Sequence, residues 1–177
     1  SIKATALASW AAHEGSGCLR FDYSGHGQSG GVFEEGTISR WLDEAETVVG
    51  RYCADAPLVF VGSSMGAWIA LLLGLRLGPP RAFVLIAPAW DMTRLMWERG
   101  TDEARQTLLR DGVYLRPSAY GEPYPITRAL IEDGRQHCFG DRPIPLDVPV
   151  RILHGKRDAD IPWRHSLDLM ERLTGDD

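Results

Sequence analysis

A serine flanked by glycines is the residue in this sequence whose type and setting best suit chemistry. Ser64 lies in Gly62-Ser63-Ser64-Met65-Gly66, between an apolar run at 58–61 and a helix-like run at 67–77. A G-x-S-x-G sequence at a strand-to-helix turn is typical of a nucleophile elbow, where both glycines are expected to relieve steric crowding. We therefore predict that Ser64 is a nucleophile and that the backbone N–H of Met65 is an oxyanion donor. The alternative is an ordinary junction of small residues.

An aspartate near the end of the chain could supply the acid that such a serine requires. A serine hydroxyl needs a general base, and the base needs an acid that orients it. Asp158 lies in an H-G-x-x-D-x-x-x-P arrangement at 154–162, just after an apolar run, where a tight turn would aim its carboxylate toward the elbow. Asp160 is the alternative acid, because the sequence does not fix the register of such a turn. Both carboxylates could instead cap the helix that follows.

None of the histidines fits the role of the base. The expected chain order is Ser, then Asp, then His, and His165 is the one histidine after Asp158. His165 falls inside the helix that should follow the acid, where it is a poor base. The other histidines are better explained as parts of loops, strand ends or exposed helices: His13, His26, His137 and His154. We therefore expect the base to lie outside these 177 residues.

The elements that must position these residues alternate between helices and strands. Strands that are apolar on both faces and alternate with helices indicate a parallel sheet covered on both sides, with ligands at the carboxyl ends of the strands. Ser64 and Asp158 both fall at such ends. The predicted strands are 18–23, 57–62, 82–87 and 150–154, and the predicted helices are 2–13, 38–52, 67–77 and about 163–173.

The alternation stops at residues 90–148, which we call the lid segment. It contains predicted helices at about 101–111 and 126–137, and we expect it to cover the site of a core formed by residues 1–89 and 149–177. Its aromatic and methionine side chains could line an acyl or aromatic pocket, or could simply pack the segment onto the sheet. The pocket candidates are Trp90, Met96, Trp97 and Tyr120.

Composition narrows the partners and the compartment. The net charge of −5 provides no basic surface for nucleic acid, and no apolar run approaches the roughly 18 residues that would indicate a membrane span. Cys18, Cys53 and Cys138 have neither metal-like nor redox spacing, so we expect buried thiols in a reducing compartment, the cytoplasm. No metal and no cofactor are predicted.

Three motifs resemble those of the α/β-hydrolase superfamily. They are Phe21–Gly31 (FDYSGHGQSGG), Val61–Trp68 (VGSSMGAW), and Ile152–Gly155 (ILHG) with Asp158. Two stretches of the lid segment, Tyr120–Tyr124 and Ile131–Gly134, resemble one branch in particular, the palmitoyl-protein thioesterases and acyl-glucuronide esterases with their bacterial relatives. The resemblance covers essentially the whole chain.

The resemblance implies an α/β-hydrolase fold that is incomplete at both ends of this sequence. It implies that Ser64 is the nucleophile, Asp158 the acid and Met65 N–H an oxyanion donor, with a small ester or thioester as substrate and no cofactor. Relatives have strands and a second oxyanion donor before this sequence, a base-bearing loop after it, and a further strand between 18–23 and 57–62. We therefore expect an internal fragment of a protein whose relatives also occur in the mitochondrial matrix.

Two hypotheses for function follow from these residues. In the first, the parent protein is a serine hydrolase of esters or thioesters. The fragment itself is expected to be inactive, because losing an oxyanion donor costs about 2.7–4 kcal/mol and losing the base costs on the order of 10⁶ in turnover. In the second, the chain is a non-catalytic module that binds acyl or aromatic ligands. A reading frame that continues into a Gly-Asp-His-like loop would exclude the second hypothesis.

Overall fold

The structure is a computed structural model that describes residues 2–118 and 121–175. The helices are α1 Ile2–His13, α2 Ile38–Cys53, α3 Met65–Leu77, α4 Met92–Arg99, α5 Asp102–Asp111, α6 Arg128–Arg135 and α7 Arg164–Arg172. The strands are β1 Val59–Ser63, β2 Ala82–Ile86, β3 Val113–Ser118, β4 Gly121–Thr127 and β5 Val150–Leu153. The predicted helices are confirmed, as are the predicted strands at 57–62, 82–87 and 150–154, with small shifts in their ends.

A parallel sheet of order β1-β2-β5 carries the elbow and the predicted acid. Phe83 and Leu85 project from β2 into the core and are fully buried. The run 67–74 of α3 is buried along its whole length, which explains why this helix is apolar all round. The amphipathic helix α2 packs on α3 and is capped by Thr37, whose hydroxyl accepts the N–H of Arg40.

The predicted strand at 18–23 does not form. A strand needs backbone hydrogen bonds to a neighbour, and none of the described strands pairs with this stretch. Leu19 and Phe21 therefore remain exposed. Cys18 is exposed as well, so the expectation of a buried thiol is wrong there, whereas Cys53 and Cys138 are partly buried.

The lid segment contains an antiparallel hairpin that the sequence did not predict. Strands β3 and β4 pair so that Tyr114 lies opposite Ile126 and Arg116 lies opposite Tyr124. Helix α5 contacts β3, and α6 packs against α4 and α2. The lid segment thus contacts the core through α6, which packs on α2, and through β4, which contacts the short 3-10 helix Phe33–Glu35.

Stacked rings join the start of the lid segment to α7. The Trp90 and His165 rings lie parallel, with centroids 4.4 Å apart. Trp90 Nε1–H donates to the His165 carbonyl at 2.9 Å, and His165 Nε2–H donates to the Trp90 carbonyl at 2.7 Å. The Arg172 guanidinium lies 5.1 Å from the Trp90 ring centroid. These contacts fix the point at which the chain leaves the sheet.

A second polar contact joins the lid segment to α2. Ser39 donates its N–H and its hydroxyl to the Asp133 carboxylate at 2.9 and 2.6 Å. His137 Nε2 lies 2.7 Å from the Ser39 hydroxyl oxygen, which can accept a hydrogen bond from Nε2–H. Burial lowers the pKa of His137, so the ring is neutral near pH 7. The Asp133 carboxylate and the neutral His137 ring therefore both bind Ser39 and hold the α6 region to α2.

Candidate active site

Ser64 occupies a strained turn between β1 and α3. Its backbone has φ 54° and ψ −123°, a conformation that side-chain-bearing residues rarely adopt. Surrounding hydrogen bonds hold this turn: Ser64 N–H donates to Ile86 O at 2.9 Å, and Ser64 O accepts from Ala67 and Ala89 at 3.0 and 3.2 Å. Ser64 is exposed. The turn thus presents a hydroxyl at the carboxyl end of the sheet.

The two glycines of the elbow play different steric roles. A Cβ atom at Gly62 would lie 2.5 Å from both Ala67 Cα and Gly66 O, so the close packing of α3 on β1 requires glycine there. A Cβ atom at Gly66 would meet nothing within 4 Å. The expectation that both positions need glycine is therefore confirmed for Gly62 and wrong for Gly66, which faces open space.

Met65 is the first residue of α3. Backbone N–H groups in a first helical turn have no acceptor within the helix, and they lie at the positive end of the helix dipole. An oxyanion formed on a carbonyl bound to Ser64 could therefore accept the N–H of Met65. The geometry suits the predicted oxyanion donor, and the role itself stays a prediction.

The two candidate acids lie in one turn, which we call the acid turn (155–161). Asp158 Oδ1 accepts the backbone N–H groups of Asp160 and Ile161 at 3.0 and 2.9 Å, and the side chain is 25% exposed. Asp160 is 49% exposed, and its carboxylate lies 4.0 Å from the Arg116 guanidinium. Asp158 is thus oriented by the turn itself, whereas Asp160 lies beside Arg116 and lines the cavity that contains Ser64.

None of the histidines hydrogen-bonds to Ser64 within the part of the chain that the structure describes. His13 ends α1 and is exposed. The other rings bond elsewhere: His26 to Ser24 O, His137 to Ser39, His154 to Ser166 and Ile161, and His165 to Trp90 O. Burial lowers the pKa of His165. The prediction that His165 is a poor base agrees with this placement against Trp90.

A cavity of about 510 Å³ begins at Ser64 and extends under the lid segment. Predicted pocket residues Met96 and Trp97 line it. Trp90 is not among its lining residues, because that ring is buried in the stack with His165. Tyr120 lies outside the described residues. The remaining wall is mainly apolar and includes Ala89, Met92, Leu95, Leu108, Ile126, Ile131 and Ile161.

Tyr114 and Tyr124 of the hairpin belong to the aromatic side chains that were expected to line a pocket, and both line the cavity. Sequence reasoning missed Arg116, Pro117 and Ile126, which line it from the same hairpin. The signal that could have found Arg116 is the two-residue period of a strand. Tyr114 and Arg116 face the cavity, and the alternating Val113 and Leu115 are exposed. The prolines at 117, 123 and 125 hide this pattern, since proline is rare within paired strands.

The described residues carry neither a recognisable metal site nor a membrane-spanning helix. No group of three or more His, Cys, Asp or Glu side chains between residues 2–118 and 121–175 is placed to hold a metal ion. The helices of those two ranges are each too short or too polar to cross a bilayer.

Comparison with known proteins decides the family. A family model described as serine aminopeptidase, S33 (Hydrolase_4) matches residues 1–128. The chain belongs to this hydrolase family. The crystal structure of an Agrobacterium vitis S4 protein described as a hydrolase is 44% identical, with a TM-score of 0.90 over 97% of this chain and 69% of that one. The fold is therefore that of an α/β-hydrolase, and the expected resemblance is confirmed.

Two further relatives connect this S33-family chain to one branch. The mitochondrial palmitoyl-protein thioesterase ABHD10 of Homo sapiens is 33% identical over 180 residues, a match that covers 99% of this chain and 58% of the relative. The structure of mouse α/β-hydrolase domain-containing protein 10 is 32% identical, with a TM-score of 0.88 over 100% of this chain and 72% of that one. The chain thus spans less than two thirds of the length of the curated human relative.

Proposed function

We propose that the protein hydrolyses carboxylic esters or thioesters by acyl transfer through Ser64. The observation that carries this proposal is the exposed Ser64 hydroxyl, held on a strained turn where the apolar cavity meets the N-terminus of α3. The hydroxyl oxygen attacks the acyl carbon, and Met65 N–H stabilises the oxyanion. The leaving alcohol or thiol takes the serine proton through the base. Water then cleaves the acyl-enzyme, releases the carboxylic acid and restores Ser64.

We propose Asp158 as the acid and a histidine outside this sequence as the base. Two backbone N–H groups hold Oδ1 of Asp158, while Oδ2 has His154 Nε2 at 3.8 Å, beyond hydrogen-bonding distance. Oδ2 is therefore available to a histidine N–H. The described histidines are all occupied elsewhere or exposed on α1, which supports a base contributed by a longer protein.

The cavity supports an acyl group as the part of the substrate that binds beneath the lid segment. Its wall combines methionine, leucine and isoleucine with the rings of Trp97, Tyr114 and Tyr124, and this composition suits a flexible alkyl or aromatic acid. The name of the human relative specifies a palmitoyl thioester, which belongs to the same class. The free thiols fit a reducing compartment, either the cytoplasm or, as named for that relative, the mitochondrion.

A serine-directed fluorophosphonate probe tests the assignment in the longer protein that this proposal implies. Labelling should be lost in Ser64→Ala and retained in Ser63→Ala, the matched control in the same pentapeptide. Turnover should fall by about 10⁶ in the first variant. Equal labelling of both variants would rule out Ser64 as the nucleophile. The 177-residue chain by itself should be folded but should show no turnover; comparable turnover would place the base within it.

The alternative function is a ligand-binding module that performs no chemistry. The observation that favours it is that the cavity is present, whereas no histidine among the described residues hydrogen-bonds to Ser64. In that case the natural protein would be inert to the probe, and a fatty acid would still change the tryptophan fluorescence through Trp97, a change that Trp97→Phe should remove. Probe labelling that depends on Ser64 would exclude this alternative.

A further inference from the structure

We propose that His154 is a positioning residue that sets the acid turn in register with the elbow. The inference rests on the proposed function, in which Asp158 is the acid. His154 directly follows β5, and its side chain is 6% exposed. Nδ1 lies 2.6 Å from the Ser166 hydroxyl on α7, and Nε2 lies 2.9 Å from the Ile161 carbonyl in the acid turn. One ring therefore connects a strand end, a helix and the turn.

The chemistry of the two partners determines where the His154 proton resides. A carbonyl oxygen can only accept, so Nε2 must carry the proton that is donated to Ile161. Nδ1 of the neutral ring then accepts from the hydroxyl of Ser166, which is itself buried. Both nitrogens are thus engaged, and Nε2 stays 3.8 Å from Asp158. This arrangement excludes His154 as the base that Asp158 would orient.

Ile161 transmits the position of His154 to the acid. Its carbonyl accepts from His154, and its N–H donates to Asp158 Oδ1 at 2.9 Å. A shift of Ile161 therefore displaces the carboxylate. The contact is partly buried and the His154 side chain is only 6% exposed, so losing this hydrogen bond leaves a partly buried acceptor without its donor.

The same strand end is tied to the elbow through the sheet. Leu153, the residue before His154, pairs with Ile86 and accepts the N–H of Ala87 at 2.8 Å. Ile86 O accepts the N–H of Ser64 at 2.9 Å. Backbone hydrogen bonds thus fix the position of His154 relative to Ser64, and the His154 ring fixes the position of Asp158 through Ile161. The carboxyl ends of the paired strands therefore position both the nucleophile and the acid.

Two substitutions separate the positioning role from general packing. In His154→Gln the side-chain amide can still reach Ile161 O with a donor, whereas in His154→Asn it is too short to do so. In the longer protein, His154→Gln should keep kcat within a few fold. His154→Asn should lower kcat by about 100-fold at unchanged KM, because a misplacement of about 1 Å is sufficient for that loss.

The pH profile provides a readout that packing alone would not move. A displaced carboxylate stabilises a protonated base less well, so the base pKa falls. The acidic limb of kcat/KM should therefore move to lower pH in His154→Asn and stay in place in His154→Gln. Rates are expressed per site titrated with fluorophosphonate, so that unfolded protein does not count. Ser166→Ala removes the hydrogen-bond partner of His154 Nδ1 and should shift the acidic limb of kcat/KM in the same direction. This variant replaces His154→Asn in the test if His154→Asn does not fold.

The outcomes distinguish this inference from the proposed function. If His154→Gln and His154→Asn have equal kcat and equal acidic limbs of kcat/KM while Asp158→Asn is inactive, the positioning role of His154 is overturned. The assignment of Asp158 as the acid then stands. Wild-type activity in Asp158→Asn would overturn the assignment of the acid itself. Loss of activity in His154→Asn with rescue by His154→Gln and a shifted limb supports the inference.

Discussion

The elbow and the acid turn follow β1 and β5, which lie on either side of β2 in the sheet, but they are built from different contacts. The elbow combines backbone hydrogen bonds at Ser64 with close steric packing, since Gly62 lies directly against Ala67 and the following helix is buried. The acid turn is set by hydrogen bonds that Asp158 and His154 make to backbone and to α7. The difference teaches that the elbow should not tolerate added atoms at Gly62, whereas the acid turn should not tolerate the loss of hydrogen-bond donors and acceptors.

The largest expected effect concerns which carboxylate the acid turn presents. Asp158→Asn should lower kcat by about 10⁴, the loss typical of a triad acid changed to an amide. Asp160→Asn should change kcat by less than about 10-fold, because its carboxylate is half-exposed and pairs with the partly exposed Arg116. Steady-state hydrolysis of a p-nitrophenyl ester by the longer protein measures both. The reverse ranking would make Asp160 the acid.

The next effect tests whether the elbow is controlled by packing. Gly62→Ala should lower the free energy of unfolding by about 1–3 kcal/mol, because the new methyl group meets backbone atoms of α3 that cannot move aside. Gly66→Ala is the matched control, and it should leave stability unchanged or raise it by up to about 1 kcal/mol, since alanine favours a helix and the space is open. Urea unfolding gives both values, and equal losses would contradict the steric account.

The same contrast explains what could be predicted from the sequence. The strand-to-helix turn at 62–66, the three strands of the parallel sheet, α5 and α6 follow from local apolar patterns and glycine, so their prediction succeeded. The stretch 18–23 has the composition of a strand, but strand formation depends on a partner elsewhere in the chain. The place of Trp90 depends on α7, some 75 residues away. The choice between Asp158 and Asp160 depends on which N–H groups the turn presents, which no residue pattern specifies.

A smaller effect should follow from protonation of His165, the neighbour of Ser166 on α7. Burial lowers the pKa of His165; the hydrogen bond to the Trp90 carbonyl, Asp168 and Asp91 oppose this shift, and Arg99 adds to it. Because the folded pKa lies below the unfolded value, the unfolded state binds more protons at acidic pH. The stabilisation is complete above about pH 6.5 and is lost as the pH falls below it, by at most about 1.4 kcal/mol per pH unit.

Urea unfolding between pH 5 and pH 8 measures this dependence. His165→Gln should flatten the curve below about pH 6.5, the unfolded pKa of histidine. It should not abolish the slope, because burial also lowers the pKa of His137 and contributes with the same sign. An unchanged slope in His165→Gln would show that the stack with Trp90 tolerates a charged ring, and that protonation does not loosen the helix behind the acid turn.

The smallest effect should come from the contact between the acid turn and the hairpin. Arg116 and Asp160 are 35% and 49% exposed and lie 4.0 Å apart, and pairs of this kind contribute about 0–1 kcal/mol. Arg116→Gln should therefore change the free energy of unfolding by less than about 0.5 kcal/mol. Ser166→Ala should cost more, about 1–3 kcal/mol, because it leaves the buried Nδ1 of His154 without a donor. If Arg116→Gln instead lowered the free energy of unfolding more than Ser166→Ala, the acid turn would be held by its contact with the lid segment. The hydrogen bonds to α7 would then not be what distinguishes the acid turn from the elbow.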